Sequence, residues 1–142
     1  MPINYFLDTN ILLYGYDLDA PKKREVAIEI LKHAWREPGS AAISVQVLQE
    51  FHVNFQRKGH SDEEAQTLIN DFCLWPVIDN TLSLFGSGLK LRMETGISLW
   101  DAMVVAAAKA SGAQELLTED LNHGQRYGSV HVRNPFLESP LI

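Results

Sequence analysis

Short apolar runs alternate along this chain with longer stretches of helical periodicity, and that alternation leaves few folds open. "NYFLD", "AAIS", "WPVID", "ELLT" and "VHVR" read as five short strands, the last cut off by Pro135. Between the first two lies "APKKREVAIEILKHAWREPG", a long helix with Pro21 in its first turn. Val26, Ile30 and Ala34 with Ala27 and Leu31 form its apolar stripe, and Pro38-Gly39 stop it. Ser44 caps a helix over "VQVLQEFHVNFQRKG", and "SDEEAQTLINDFCL" opens with a capping box of Ser61 and Glu64. "TLSLFGSGLKLRMETG" has helical periodicity but carries Gly86 and Gly88, which allow close helix packing. No Gly-Lys-Ser/Thr follows them, so they are not a phosphate-binding loop. "SLWDAMVVAAAKASG" is a strong helix, started by Ser98 and ended by Gly112. Strands alternating with helices imply a mostly parallel sheet covered on both faces. The expected fold is therefore a three-layer α/β/α sandwich. Its 142 residues make one domain, 1–142, able to bury roughly 70% of its unfolded surface.

Composition narrows the function classes. The chain is 46% hydrophobic and 21% charged, as expected of a soluble globular protein. The N-terminus "MPINYFLD" has no basic region and an early acid, so no signal peptide is expected. No apolar run approaches the about 18 residues a membrane helix needs. The single cysteine, Cys73, rules out an internal disulfide framework and a multi-cysteine zinc site. A buried thiol in a reducing cytoplasm is the expectation for it. Net charge is −6, which excludes a general nucleic-acid coat. It does not exclude an enzyme acting on nucleic acid, because clustered carboxylates can bring metal ions to the phosphate.

Four carboxylates stand in places that need an explanation. In an open α/β sheet, ligands bind beyond the carboxyl ends of the strands. Asp8 directly follows the first strand, and Asp120 follows the fourth by two residues. Each, taken alone, is equally a turn or helix-cap aspartate. Asp101 begins the apolar stripe of its helix, in line with Val104, Val105 and Ala108. Burying it unpaired would cost several kcal/mol or force it to hold a proton. It can also sit third in a capping box with Ser98, and both roles are compatible. Glu50 flanks a buried face made by Val47, Leu48, Phe51 and Phe55, where a solvated glutamate is the default.

Taken together and in order, "FLDTNILLY", "SVQVLQEF", "SLWDAMVVAAA" and "LLTEDLNHG" resemble the PIN-domain family, and within it the VapC-type toxins of bacterial toxin–antitoxin pairs. The resemblance implies a metal-dependent ribonuclease whose four acids lie at the carboxyl edge of a parallel sheet. Carried over residue by residue, the acids are Asp8, Glu50, Asp101 and Asp120, serving as catalytic and metal-holding residues. Asp120 is preferred to Glu119 because the family pattern is T-x-D. Asn10 and Thr118 match supporting polar positions, while Asn122 and His123 match less closely. The same resemblance implies an RNA substrate, a 5′-phosphate and 3′-hydroxyl at the cut, a cognate antitoxin and a homodimer. It points to the apolar tail "PFLESPLI" and the N-terminal helices as contact surfaces.

Oxygen-only donor sets suit hard ions, Mg²⁺ or Mn²⁺. His33, His52, His60, His123 and His131 are scattered, and nothing places two together for metal-free cleavage. Arg126 and Lys109 can help hold RNA phosphates, but surface solvation is the preferred reading for each; Trp100 is read as a core residue, although it can also stack on a base. Two other classes stay open. A receiver-like signalling domain wants adjacent early acids and a lysine after a late strand, which "FLDTN" and "VHVRNP" do not supply. A non-catalytic α/β interaction module, its acids serving only as caps, would be indifferent to added metal.

Overall fold

The computed structural model describes residues 2–37 and 39–137. In chain order the elements are β1 (Tyr5–Leu7), α1 (Thr9–Tyr14), α2 (Pro21–Arg36), β2 (Ala41–Ser44), α3 (Val45–Arg57), α4 (Asp62–Phe72), β3 (Val77–Ile78), α5 (Leu82–Thr95), α6 (Leu99–Ser111), β4 (Glu115–Leu117), β5 (Arg126–Tyr127) and β6 (Val130–Arg133). The described strands form one sheet in the order β3-β2-β1-β4-β6-β5. All pairings are parallel except β5 with β6. Phe6, in the middle of β1, lies beside Ala42 on one side and Leu116 on the other. The chain runs outward from β1 to β3 and then returns to lay β4 against the free side of β1. The strand order thus reverses at β1, which opens a crevice at the carboxyl ends of β1 and β4.

Helices cover both faces, completing the α/β/α sandwich. α6 packs on β1, β2, β3, β4 and β6 and is backed by α5, so it lies between two layers. Its Ala102–Ala108 run is buried on every side, which only small and apolar side chains permit. Ser98 caps its start, and Gly112, with φ at 81°, takes the left-handed conformation at its end. On the other side α3 meets β2 and packs against α1 and α4, while α2 packs on α1. The α2 stripe is buried at Ala27, Ile30, Leu31 and Ala34, with Val26 half-buried. Ser61 and Glu64 form both halves of the α4 capping box. Among the described residues no helix is long and apolar enough to cross a membrane.

Gly88 and Gly86 differ sharply. A Cβ at Gly88 would overlap the Met103 sulfur of α6, whereas one at Gly86 meets nothing within 4 Å. Gly88 therefore sets the close approach of α5 to α6. Gly88→Ala is expected to destabilise the protein by about 1–3 kcal/mol through overpacking, and Gly86→Ala to stabilise it by about 0.5–1 kcal/mol through helix propensity. Chemical denaturation of the two variants checks the contrast in sign.

The structure departs from the sequence reading in several places. Cys73 is exposed rather than buried. α4 ends at Phe72, and it is Phe72 and Trp75 that turn into the core, leaving Cys73 and Leu74 outside. Trp100 is 67% exposed, not a core residue, because the α6 face buried against the sheet starts beyond it. "VHVR" is the sixth strand, since the two-residue β5 precedes it in a hairpin turned at Gly128, where φ is 61°. Two residues are too few to show any periodicity. Pro38 and the last five residues of the apolar tail, 138–142, lie outside the described residues.

Candidate metal centre

The four acids come from separate elements and line one pocket of about 200 Å³. Asp8 leaves the end of β1 and is also the N-cap of α1, with its backbone extended at φ −77° and ψ 165°. It is therefore both cap and site residue. Its carboxylate is buried. Oδ1 accepts the Thr9 N–H at 2.7 Å, and Oδ2 accepts the Thr118 hydroxyl at 2.8 Å. Glu50, one turn into α3, is half-buried, and its Oε1 accepts the Thr9 hydroxyl at 3.0 Å. Asp101 stands in the first turn of α6, where its N–H donates to the Ser98 hydroxyl at 3.1 Å. Asp120 follows β4 at the open rim, and its Oδ2 accepts from Asn10 Nδ2 at 3.1 Å.

Thr118 ties the acids together. Its Oγ1 donates to Asp8, accepts the Asp120 N–H at 3.0 Å and accepts Asn10 Nδ2 at 3.3 Å. One hydroxyl has one proton and two lone pairs, so its capacity is fully used. Thr118→Val keeps the shape but strips Asp8 of one donor and leaves the Asp120 N–H short of an acceptor. We expect Mg²⁺ affinity to fall by about 10–100-fold, read by calorimetric titration, with a loss of about 1–3 kcal/mol in stability.

Burial, with like charge adding to it, makes ionised carboxylates costly in this pocket. Burial pushes the Asp8 pKa up to about 7; the Thr118 and Thr9 hydrogen bonds oppose the rise, and the Asp120 and Glu50 charges add to it. Glu50 is also raised, first by desolvation and then by Asp120 and Asp101, against hydrogen bonds from Thr9 and Gln46. Asp120 is raised chiefly by partial desolvation, with Asp101 and Glu119 adding to it against the Asn10 bond. Such an arrangement is relieved by protons or by a cation.

The residues present fit a hard divalent ion. All the converging donors are oxygens, and Asn10 Oδ1 is buried without a hydrogen-bond partner. Among the described residues no three carboxyl, thiol or imidazole groups already stand as a ligand cage. Glu119 faces away from the pocket: its oxygens take the Tyr14 hydroxyl at 2.7 Å and Lys23 Nζ at 2.8 Å. None of the five histidines lines the pocket. His123 Nδ1 accepts the Asn134 N–H at 3.0 Å, Arg126 is exposed on β5, and Asn122 is exposed. Lys109 lines a separate, larger cavity of about 650 Å³ among β3, α5 and α6, which holds none of the four acids.

Sequence reasoning missed two residues of this site. Gln46 is buried, and its Nε2 donates to the Trp100 carbonyl at 3.2 Å. It stands four residues before Glu50 on α3, a spacing that puts both on one helical face and was available in the sequence. Thr9 is the second: its hydroxyl links the Asp8 turn to Glu50.

The PIN domain family profile matches residues 5–128. No curated protein sequence matches the chain significantly. Among solved structures, the fold is similar to VapBC2 of Rickettsia felis bound to a DNA fragment from its promoter, with a TM-score of 0.67, 23% identity, and coverage of 93% of this chain and 98% of that one. It is similar to a toxin–antitoxin complex from Klebsiella pneumoniae, with a TM-score of 0.66, 23% identity and coverage of 89% and 95%. A third is VapC20 of Mycobacterium tuberculosis, a toxin that cleaves the sarcin–ricin loop, with a TM-score of 0.60, 22% identity and coverage of 80% and 87%. At these identities the likeness is one of fold, while the profile match spans most of the sequence. The chain belongs to the PIN domain family.

Proposed function

We propose that this protein is a Mg²⁺- or Mn²⁺-dependent endoribonuclease and the VapC-type toxin of a toxin–antitoxin pair. The observation that carries the reading is the convergence of Asp8, Glu50, Asp101 and Asp120 on one pocket at the strand-order reversal. Asp8, Asp101, Glu50 and Asp120 are the residues that would hold the ion. Bound there, it would supply a water of lowered pKa and neutralise charge on the phosphoryl oxygens and the leaving oxygen. The protein's own part is positional. Thr118 and Thr9 fix the Asp8 oxygens, Asn10 steadies Asp120, and Thr9 holds Glu50 toward the same space. Hydrolysis leaves a 5′-phosphate and a 3′-hydroxyl, with no carboxylate acting as a covalent nucleophile.

The toxin reading rests on the family and on neighbours that are toxin–antitoxin complexes. It assigns this chain an antitoxin partner, a homodimeric state and a cytoplasmic site of action. An apolar groove of about 480 Å³ beside Tyr16, Leu18, Phe55 and Leu68, with Arg24 at its wall, is the surface offered to the antitoxin. Purified protein is expected to cleave RNA with added Mg²⁺ or Mn²⁺ and to stop in excess EDTA, with activity restored by the metal alone. Equal cleavage in EDTA would remove the metal mechanism.

A further inference from the structure

Trp100 is a large aromatic side chain left in solvent at the mouth of the acid pocket. Its residue is 67% exposed, lines the pocket, and precedes Asp101 in the first turn of α6. The other two tryptophans are used structurally: Trp75 is 4% exposed, and Trp35 packs on it with ring centroids 4.3 Å apart. Among the described residues Trp100 enters no ring–ring or cation–ring pair. Its backbone is nevertheless fixed, by the helix and by the buried Gln46 amide on its carbonyl. Placed at the pocket mouth on a fixed backbone, the indole offers a broad apolar face to a flat group bound there.

We propose that the Trp100 ring is a stacking platform for an unpaired base next to the phosphate cut in the acid pocket. This rests on the nuclease reading above. A base offers its face to a side chain only when it has left the stack, as in loops, bulges and single strands. Stacking is tolerant of base identity, since every base has a π-face. It also supplies binding that charge does not, because the chain carries a net charge of −6 and the pocket is acidic. Lys23 does not line the pocket and is already held by Glu119 and Tyr14.

The test is steady-state cleavage, in Mg²⁺, of a single-stranded oligoribonucleotide whose cut site has been mapped with the wild-type protein. Trp100→Ala is expected to raise KM about tenfold or more, with kcat moved far less and the melting temperature unchanged. Trp100→Phe keeps most of the affinity. Placing an abasic ribose beside the cut is expected to cost the wild type a similar factor and Trp100→Ala nothing further, because both changes remove one contact. Equal KM for wild type and Trp100→Ala, or an abasic penalty undiminished in the variant, would overturn the proposal and leave the ring to a protein interface. Failure of the nuclease reading is separable: wild type would then cut no RNA at all. In that event fluorescence titration with the oligonucleotide decides. Quenching lost in Trp100→Phe supports the platform, and no quenching in wild type overturns it.

Discussion

Asp8→Asn is expected to lower RNA cleavage by at least ~10³-fold, equivalent to about 4 kcal/mol of transition-state stabilisation. Both Asp8 oxygens accept hydrogen bonds, from the Thr9 N–H and the Thr118 hydroxyl. Asparagine offers one oxygen and one NH₂, so a donor is turned either toward the Thr9 N–H or toward a Thr118 oxygen that already accepts from Asn10 and Asp120. The variant thus loses the charge and disturbs the turn that aims the other acids. A pH signature accompanies it. The folded protein keeps the Asp8 proton up to about pH 7, whereas the unfolded chain releases it near 3.8. Between those values the native state binds more protons, so raising the pH weakens metal-free protein across that window. Metal must displace the same proton, so Mg²⁺ affinity climbs by about tenfold per pH unit until it levels off near 7. Asp8→Asn removes its share of both slopes. Thermal melts in EDTA and calorimetric Mg²⁺ titrations at several pH values measure them. Retained cleavage, or unchanged slopes, would take Asp8 out of the site.

What the sequence made legible, and what it did not, follows from the range of the interactions. The α6 helix is visible because its apolar residues, its Ser98 cap and its Gly112 stop are local features that the structure repeats. The α4 capping box and the Ser44 cap are local for the same reason. β5 escaped because two residues carry no period, and its existence depends on pairing with β6. Cys73 and Trp100 were misplaced because burial at a helix end depends on where the helix stops and what covers it. The four acids were picked out by family pattern rather than by spacing. Helical spacing alone left Glu50 on a solvated flank, and its link to the Asp8 turn comes from Thr9, 41 residues away in sequence. Thr118 shows the same limit: its value lies in three bonds, of which those to Asp8 and Asn10 cross 110 and 108 residues.

If the four carboxylates share one metal site, Asp101 is the residue whose replacement reveals it best. It is half-buried and its capping role runs through the backbone N–H to Ser98, which Asp101→Asn leaves intact. Its charge, however, raises both Glu50 and Asp120. Two like charges at about 5 Å repel by roughly 3 kcal/mol at an effective dielectric of 20, reduced to about 1 kcal/mol for groups this open to solvent. Loss of a favourable acid at the helix N-terminus offsets a few tenths of that. The decisive measurement is the melting temperature of wild type and Asp101→Asn, each in EDTA and in saturating Mg²⁺. With a shared site the variant melts about 2 °C above wild type in EDTA, cleaves no RNA, and loses most of the stabilisation that Mg²⁺ gives the wild type. A variant that melts lower in EDTA and gains as much from Mg²⁺ as wild type would contradict the shared site.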